Sequence, residues 1–497
     1  MGVIKRQGFK HSIVSYLAVV IGGIATLFIY PLDLESYGKA VALIQFAMVL
    51  VPFASFGSVS IVVKFFPFFK ENEEDVSAYF VFLIIYQLAF LVIFSSLYLL
   101  FFDKLMGFFG KLEWNISTLS EYKYHLLGLI YLVSFANLLV AYSSNLKRIV
   151  VPAVLYNIGA KIGMSALILL VALKALSASN IGAGMVIIWT IILLGLVFYL
   201  NKLKEMKLKF NPAIYKGKQI KEILAYALFA TFGSVGAFLA LKIDFVMINL
   251  LTNDVNTGIF SIGTFIANVI LIPSSAIISI SAPIISESIK KNNWSEVRNI
   301  YSKSSLNLTI IGVILFALIA VSIENVFSLT ASKTDLMSAF NVVLLLGLAK
   351  LFDMATSVNG SIVGYSKYFR FNFYALIFLA ITNIAFNYWL IPIYGITGAA
   401  AATLISLTLF NIAKLLLIWI KFKMMPFTKL HLIPLVLGSL AYLIVSVIPS
   451  FGNNLIQIAI NSIIIFLLVA LPIYLLKVSP DLNSMFINLV NRAKKIF

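Results

Sequence analysis

The chain is 497 residues long, 61% hydrophobic and only 11% charged, with a formal net charge of +18 and a mean hydropathy of +1.03. Soluble domains are about 45–50% apolar and about 25% charged, so a soluble fold of this length is excluded. The absence of cysteine excludes disulfides and thiolate metal sites. His11, His125 and His431 fall near expected membrane boundaries at spacings unlike a metal site, and no metal or other cofactor is expected.

At the N-terminus, Lys5, Arg6 and Lys10 precede an apolar run. No small-residue cleavage site follows and Pro31 ends a full-length span, so the run reads as a first transmembrane helix and not as a signal peptide. A helix needs about 20 mostly apolar residues to cross the hydrocarbon. On that length the sequence predicts about fourteen spans, in order 12–31, 40–63, 78–102, 124–144, 150–173, 182–201, 223–251, 258–282, 304–323, 337–360, 371–391, 396–420, 431–449 and 455–476. Lipid offers no partner to a bare backbone, so all are expected to be helices. The runs are too long and continuous for barrel strands. The expected class is an all-α integral membrane protein.

Orientation follows from the lysines and arginines. With the N-terminus in the cytoplasm, 27 of the 37 basic residues fall on inner segments, 6 on outer segments and 4 inside spans. The positive-inside rule then places both termini in the cytoplasm. The net charge becomes a topology and lipid signal and not a nucleic-acid footprint. The longest outer loop, 103–123, carries Trp114, and the longest inner loop, 202–222, holds seven lysines and Pro212. After Ser479-Pro480, the residues Leu482, Met485, Phe486, Leu489, Val490, Ala493 and Phe497 recur at helical spacing with Arg492, Lys494 and Lys495 between them. That pattern reads as an amphipathic helix on the cytoplasmic leaflet.

A weak internal repeat has an offset of about 220 residues. Gly38 in Leu34-Glu35-Ser36-Tyr37-Gly38 pairs with Gly258 in Asp254-Val255-Asn256-Thr257-Gly258, and Lys70 pairs with Lys290 at the same offset. Further on, Asn180-Ile181-Gly182-Ala183-Gly184 resembles Gly395-Ile396-Thr397-Gly398-Ala399. Six spans per repeat give halves of one orientation, with a binding site expected at the midplane between them. The expected organisation is a six-helix lobe at 1–201, a basic linker at 202–222, a second six-helix lobe at 223–420, two additional helices at 421–477 and an amphipathic tail at 478–497.

Ionisable groups at bilayer depth cost at least about 2.5–3.5 kcal/mol on insertion scales and are functional candidates. Six occur here: Lys161, Lys242, Lys350 and Lys414, against Asp244 and Asp353. The cationic excess calls for an anion or water. Lys350 and Asp353 stand three apart on one helix face and can pair as a structural salt bridge. Lys242 and Asp244, two apart, point differently, and Asp244 is also a candidate coupling site for a cation or proton. Lys161 and Lys414 have stems long enough to snorkel to an interface. Asn157, Asn268, Asn383 and Asn387 suit either the lining of a path or hydrogen bonds between helices. Gly22-Gly23, Pro52, Pro273 and Pro283 suit bends or ordinary helix ends.

Four stretches carry a resemblance to a known family. They are Leu34-Glu35-Ser36-Tyr37-Gly38, Lys242-Ile243-Asp244, Gly258-Ile259-Phe260-Ser261 with Pro283-Ile284-Ile285-Ser286, and the run Ile391-Pro392-Ile393-Tyr394-Gly395-Ile396-Thr397-Gly398-Ala399-Ala400-Ala401-Ala402-Thr403. Over about residues 1–420 the chain resembles the oligosaccharide-lipid (O-antigen-type) flippases of the multidrug/oligosaccharidyl-lipid/polysaccharide exporter superfamily. The last run is the most specific, and fourteen spans also match the lipid II flippases. The resemblance implies an inner-membrane flippase for an undecaprenyl-pyrophosphate-linked oligosaccharide, such as an O-antigen repeat unit of lipopolysaccharide. It would work by alternating access, with Lys161, Lys242, Lys350 and Lys414 lining a cationic cavity and Asp244 and Asp353 coupling an ion or pairing charge. Expected partners are the lipid-linked substrate, membrane lipids, a polysaccharide polymerase and glycosyltransferases, with no nucleic acid.

Two other readings compete. A cation-coupled multidrug antiporter of the same superfamily calls for an acidic cavity, which four lysines fit poorly. A membrane-embedded polysaccharide polymerase or ligase calls for outer arginines and paired carboxylates, and the outer segments hold no arginine. A transporter and not an enzyme is therefore expected, and since no nucleotide-binding Gly-x-x-x-x-Gly-Lys-[Ser/Thr] sequence occurs, it would be driven by an ion gradient, the membrane potential or the substrate gradient.

Overall fold

The computed structural model describes residues 3–69, 73–203, 217–449, 452–484 and 487, and these form helices and turns with no strand among them. Among the described residues, thirteen helices are long and apolar enough to cross a membrane. Phe229, Val447, Phe198 and Ile280 are at least 70% exposed, whereas Gln87, Ser305, Thr356 and Asn387 have no accessible surface. Apolar side chains outside and polar ones inside form a stable arrangement only where lipid takes the place of water. The chain is a multi-pass, all-helical membrane protein. Packing divides it into two compact units, Met1–Ser261 and Ile262–Phe497. The linker expected at 202–222 lies mostly outside the described residues.

In the first unit, α1 (Val3–Ile24) runs into a π-helical turn (Ala25–Ile29) and a 3₁₀ turn holding Pro31. Proline lacks an N–H and crowds the preceding turn, so the ladder changes register beside it. Asp33 caps α2 (Leu34–Ser55) by accepting from the Ser36 N–H at 2.9 Å. The predicted second span, 40–63, is not continuous. It breaks at Phe56 (φ 41°) and Gly57 (φ 71°) before α3 (Ser58–Phe69). A 39-residue helix, α4 (Glu73–Lys111), follows, then the short α5 (Ser117–Glu121) and α6 (Lys123–Asn145). The fifth span is α7 (Val150–Ala153) and α8 (Ala160–Ala172) joined by a π-helical turn (Val154–Gly159). Next come α9 (Ile181–Lys202), α10 (Gly217–Leu251) and the start of α11 (Asp254–Asn268). Helix α6 packs against α2 and α9, and α10 packs along α2.

A close backbone approach in this unit joins the two segments of the sequence repeat. A Cβ on Gly38 would overlap the Asp254 carbonyl, and a Cβ on Gly258 would lie 2.6 Å from the Leu34 carbonyl oxygen. Leu34 and Asp254 are themselves equivalent in the repeat, so the contact is reciprocal: each glycine meets the backbone four residues before the other. Only a residue without a side chain permits that separation.

In the second unit, a 3₁₀ turn (Val269–Leu271) precedes Pro273 and leads into α12 (Ile272–Lys290). Asn293 caps α13 (Trp294–Phe327), the centre of the unit, which packs against α12 and the later helices. After α14 (Lys333–Leu336), the tenth span appears as α15 (Phe340–Thr356) and α16 (Asn359–Tyr365), separated by Ser357 and Val358. The predicted eleventh and twelfth spans run on as α17 (Arg370–Phe422), 53 residues interrupted by a non-helical Gly395 (φ 57°, ψ −135°). Counted as two arms, α17 reconciles thirteen helices with fourteen predicted spans. The last two spans, α18 (Leu432–Ser446) and α19 (Asn454–Ile465) with α20 (Leu471–Leu475), dock on α13 through Ala441, Ile465, Val469 and Ile473. The start of the predicted tail also docks there. Ser479 donates to Asn307 at 2.5 Å and Leu482 packs on the same apolar cluster. The rest of the predicted amphipathic stretch, apart from Ile487, lies outside the described residues.

Candidate functional site

In the first unit the predicted charges are distributed over two helices. Lys161, on α8, is half-buried and its ammonium donates to the Ala18 carbonyl of α1 at 2.6 Å. One turn on, Ser165 lies 3.5 Å from the Tyr30 hydroxyl, Tyr30 stacks on Tyr37 with ring centroids 4.1 Å apart, and the Tyr37 hydroxyl is 2.9 Å from Ser261 Oγ. A polar track thus runs from Lys161 through two stacked tyrosines. Lys242, half-buried on α10, places its ammonium 5.4 Å from the centre of the Phe245 ring, and Asp244 is buried.

The same unit holds groups that the sequence reading missed. Asp254, which enters the sequence reading only as part of a repeat signature, is buried. Its carboxylate accepts from Thr118 Oγ1 at 2.7 and 2.9 Å and from Asn249 Nδ2 at 2.7 Å. Asn115 adds backbone and side-chain hydrogen bonds to Leu250 and Thr252. Around the Phe56–Gly57 break lies a cavity of about 350 Å³ lined by Ser55, Ser60, Asn137, Ser144, Thr231 and Ser234 among apolar side chains. An adjoining cavity of about 370 Å³ includes Tyr156 and the predicted Asn157. The Phe56 carbonyl freed by the break accepts from the Tyr86 hydroxyl at 2.8 Å.

The second unit gathers its charges at the break in its tenth span. Ser357 (φ 54°, ψ −121°) and Val358 (φ −87°, ψ 19°) have the dihedrals of a type II′ turn, which favours glycine at its first central position. Asp353 stands one turn before it, and its carboxylate accepts from Asn411 Nδ2 at 2.9 Å. The Asn411 carbonyl oxygen in turn accepts from Thr356 Oγ1 and Asn359 Nδ2, both at 3.0 Å. One helical turn beyond Asn411, Lys414 is buried, with its ammonium 3.8 Å from the centre of the Phe410 ring and beside Gly360. Lys350 is half-buried one turn before Asp353 on α15. Ser305 donates to the Ala355 carbonyl and Ser357 to Ser304, so backbone and hydroxyl groups at the turn are satisfied. Asn383 and Asn387 bond to each other along α17 at 2.9 Å. Of the six predicted groups, Asp353 bonds to the amide hub directly and Lys414 stands one helical turn from Asn411. Asn411 and Asn359, that hub, were not singled out; three-residue spacing from Lys414 was the only signal for Asn411. Among the described residues no group of three or more histidine, aspartate or glutamate side chains is placed to hold a metal ion.

No protein-family model matches the sequence, and no curated protein matches it. Solved structures do match by shape. A lipid II flippase, MurJ, in an inward closed conformation aligns with a TM-score of 0.66 at 14% identity, covering 94% of this chain and 99% of that one. An inward-facing multidrug resistance transporter of the MATE family and MOP superfamily aligns at 0.63 and 13% identity, covering 82% and 94%. A MOP-superfamily transporter from Pyrococcus furiosus, described as having a binding pocket of reversed polarity, aligns at 0.52 and 12% identity over 85% and 95%. The chain has the fold of these transporters.

Proposed function

We propose that this protein is a flippase that moves an anionic, undecaprenyl-pyrophosphate-linked oligosaccharide from the cytoplasmic to the outer leaflet of a bacterial inner membrane, with both of its termini in the cytoplasm. The observation that carries this reading is the extent of the likeness to the lipid II flippase. Coverage of 94% leaves too few residues aside to omit the last two spans, whereas the multidrug transporter covers 82%. The intramembrane charge supports it independently. Four lysines against two aspartates suit an anionic head group and oppose a cationic drug. Lys161 and Lys242 are assigned to the head group, with the tyrosine track beside Lys161 offering stacking faces and hydroxyls to sugar rings. The lipid tail stays in the bilayer while the helices alternate access.

The deciding experiment uses cells lacking the gene. Lipid-linked oligosaccharides are extracted after treatment with an impermeant sugar-modifying probe. Completed carriers protected on the cytoplasmic leaflet, with surface polysaccharide lost, support the flippase and give the substrate by mass. Carriers that reach the outer leaflet and fail to elongate there overturn it in favour of a polymerase or ligase. Lys161→Ala combined with Lys242→Ala is expected to abolish export while the protein remains in the membrane, and full export by that variant would remove the cationic path from the mechanism.

A further inference from the structure

The two adjoining cavities of the first unit are built from backbone irregularities and neutral side chains. One lies around the Phe56–Gly57 break, and the other takes Tyr156 and Asn157 from the π-helical turn Val154–Gly159. Such turns redirect side chains and are frequent at functional sites. Asn137, Val140 and Ser144, on one face of α6, line both cavities, so the two share a wall. At about 350 and 370 Å³, each falls in the range of small-molecule sites, about 300–1,000 Å³. Among the described residues the lining carries no carboxylate, ammonium, guanidinium or imidazole. Its polar groups are hydroxyls and amides, and one of them is unsatisfied. Thr231 is 3% exposed, yet among the described residues its hydroxyl has no hydrogen-bond partner. A buried unpaired hydroxyl is costly, and native proteins keep one where a ligand or water completes it. Tyr156 is held edge-on by Trp189, with ring centroids 5.2 Å apart, which fixes an aromatic wall.

These features select a ligand class by exclusion. A charged group would lose its water here with no opposite charge to replace it. A purely apolar chain would leave the hydroxyls and amides without partners. What fits is neutral and carries both hydrogen-bonding groups and apolar surface: hydroxyls and an amide for Thr231 and Asn137, a methyl for Val51 and Pro52, a ring face for Tyr156. An N-acetylated sugar has all of these. We propose that the paired cavity is a subsite for an uncharged N-acetylated sugar of the lipid-linked oligosaccharide, separate from the lysines assigned to its pyrophosphate. The proposal rests on the flippase reading. The second cavity reaches Ser144 and Ile149, which flank the turn between α6 and α7, and in the orientation proposed above that turn is cytoplasmic. Sugars awaiting transport stand on that side, so the subsite receives them before the helices alternate access.

The chain contains no cysteine, so a single introduced thiol is a unique reporter. Ser234, exposed and lining the first cavity, is changed to cysteine, and its rate of reaction with a small neutral methanethiosulfonate is measured on the full-length protein in nanodiscs. The methyl glycoside of N-acetylglucosamine or of N-acetylgalactosamine is expected to slow the reaction saturably, and methyl glucoside and cationic glucosamine to leave it unchanged. Ser96→Cys, on the exposed face of α4, is the control and is expected to react at one rate throughout. Thr231→Val, added to Ser234→Cys, keeps the shape of the side chain and removes the unsatisfied hydroxyl. It is expected to hold or raise the melting temperature of the ligand-free protein and to weaken the protection about fivefold. A purely structural role for the hydroxyl would lower the melting temperature instead. Three results overturn the proposal: no protection by either N-acetylated glycoside, which leaves the cavity to water; equal protection by methyl glucoside, which removes the acetamido group from recognition; and equal slowing at Ser96→Cys, which marks an effect of the bulk solvent. Protection alongside normal surface polysaccharide in cells lacking the gene keeps the subsite and removes the flippase reading, and lost export without protection does the reverse.

Discussion

Each unit interrupts one of its spans, and the two interruptions are stabilised by different chemistry. At Phe56–Gly57 the chain passes through two consecutive left-handed residues, and its surroundings are neutral: a tyrosine hydroxyl on the freed carbonyl and a cavity of serine, threonine and asparagine side chains interspersed with apolar ones. At Ser357–Val358 one strained residue turns the chain, and the surroundings are charged: a carboxylate, an ammonium and a two-amide relay. A neutral break exchanges one weak hydrogen bond for another at small cost. A charged one in low dielectric holds its partners firmly and penalises the loss of any of them. The first is suited to bending and the second to responding to charge.

The contrast is sharpest at the amide hub. Asn411→Leu strands the Asp353 carboxylate and the Asn359 amide together, while the Thr356 hydroxyl keeps its bond to the Asp353 carbonyl, and is expected to destabilise the protein by about 3 kcal/mol in equilibrium unfolding from mixed micelles. A loss as small as that at the neutral break would show that the charged cluster carries no extra rigidity. Next in size is Gly57→Val. At φ 71° a side chain is strained, and its Cβ would stand 2.7 Å from the Ala227 carbonyl oxygen. A loss of about 2 kcal/mol is expected, and an unchanged unfolding curve would mean that the break relocates freely. Tyr86→Phe removes only the hydrogen bond to Phe56 and is expected to cost about 1 kcal/mol by the same measurement. The smallest effect belongs to Ser357→Gly, which relieves φ 54° while giving up the bond to Ser304. It should leave stability within about 1 kcal/mol of wild type, and a larger loss would place the hydroxyl pair above backbone strain in importance.

Neither break is marked in the sequence reading, which runs 40–63 across Gly57 and 337–360 across Ser357, whereas Gly395 falls between two predicted spans and does divide α17. Ser357 adopts nearly the same dihedrals as Gly395 and carries no such mark, so the tenth span reads as continuous apolar helix. Span positions are legible because twenty apolar residues in a row have few alternatives. The π-helical turns beside Pro31 and Pro472 follow from local proline chemistry. The pairing of Asp353 with Asn411 links residues 58 positions apart and depends on tertiary packing, which periodicity does not encode. The spacing of Lys350 and Asp353 points to a pair along one helix, and the Asp353 carboxylate also accepts from Asn411 on another. Asp254 was hidden for a different reason: three residues from an expected helix end it looks solvated, and only the fold delivers Thr118 and Asn249 to it.

The reciprocal contact at Gly38 and Gly258 has a genetic corollary. Two equivalent positions that touch each other share one volume, so neither can vary alone: whatever atom one codon adds, the other has already given up the space to receive it, and it is itself a glycine with nothing left to yield. Compensating substitution is therefore closed at this pair, unlike an ordinary core contact where a larger residue is matched by a smaller neighbour. Variant libraries of this chain should accordingly show both codons as simultaneously intolerant, with no rescue of one by any change at the other.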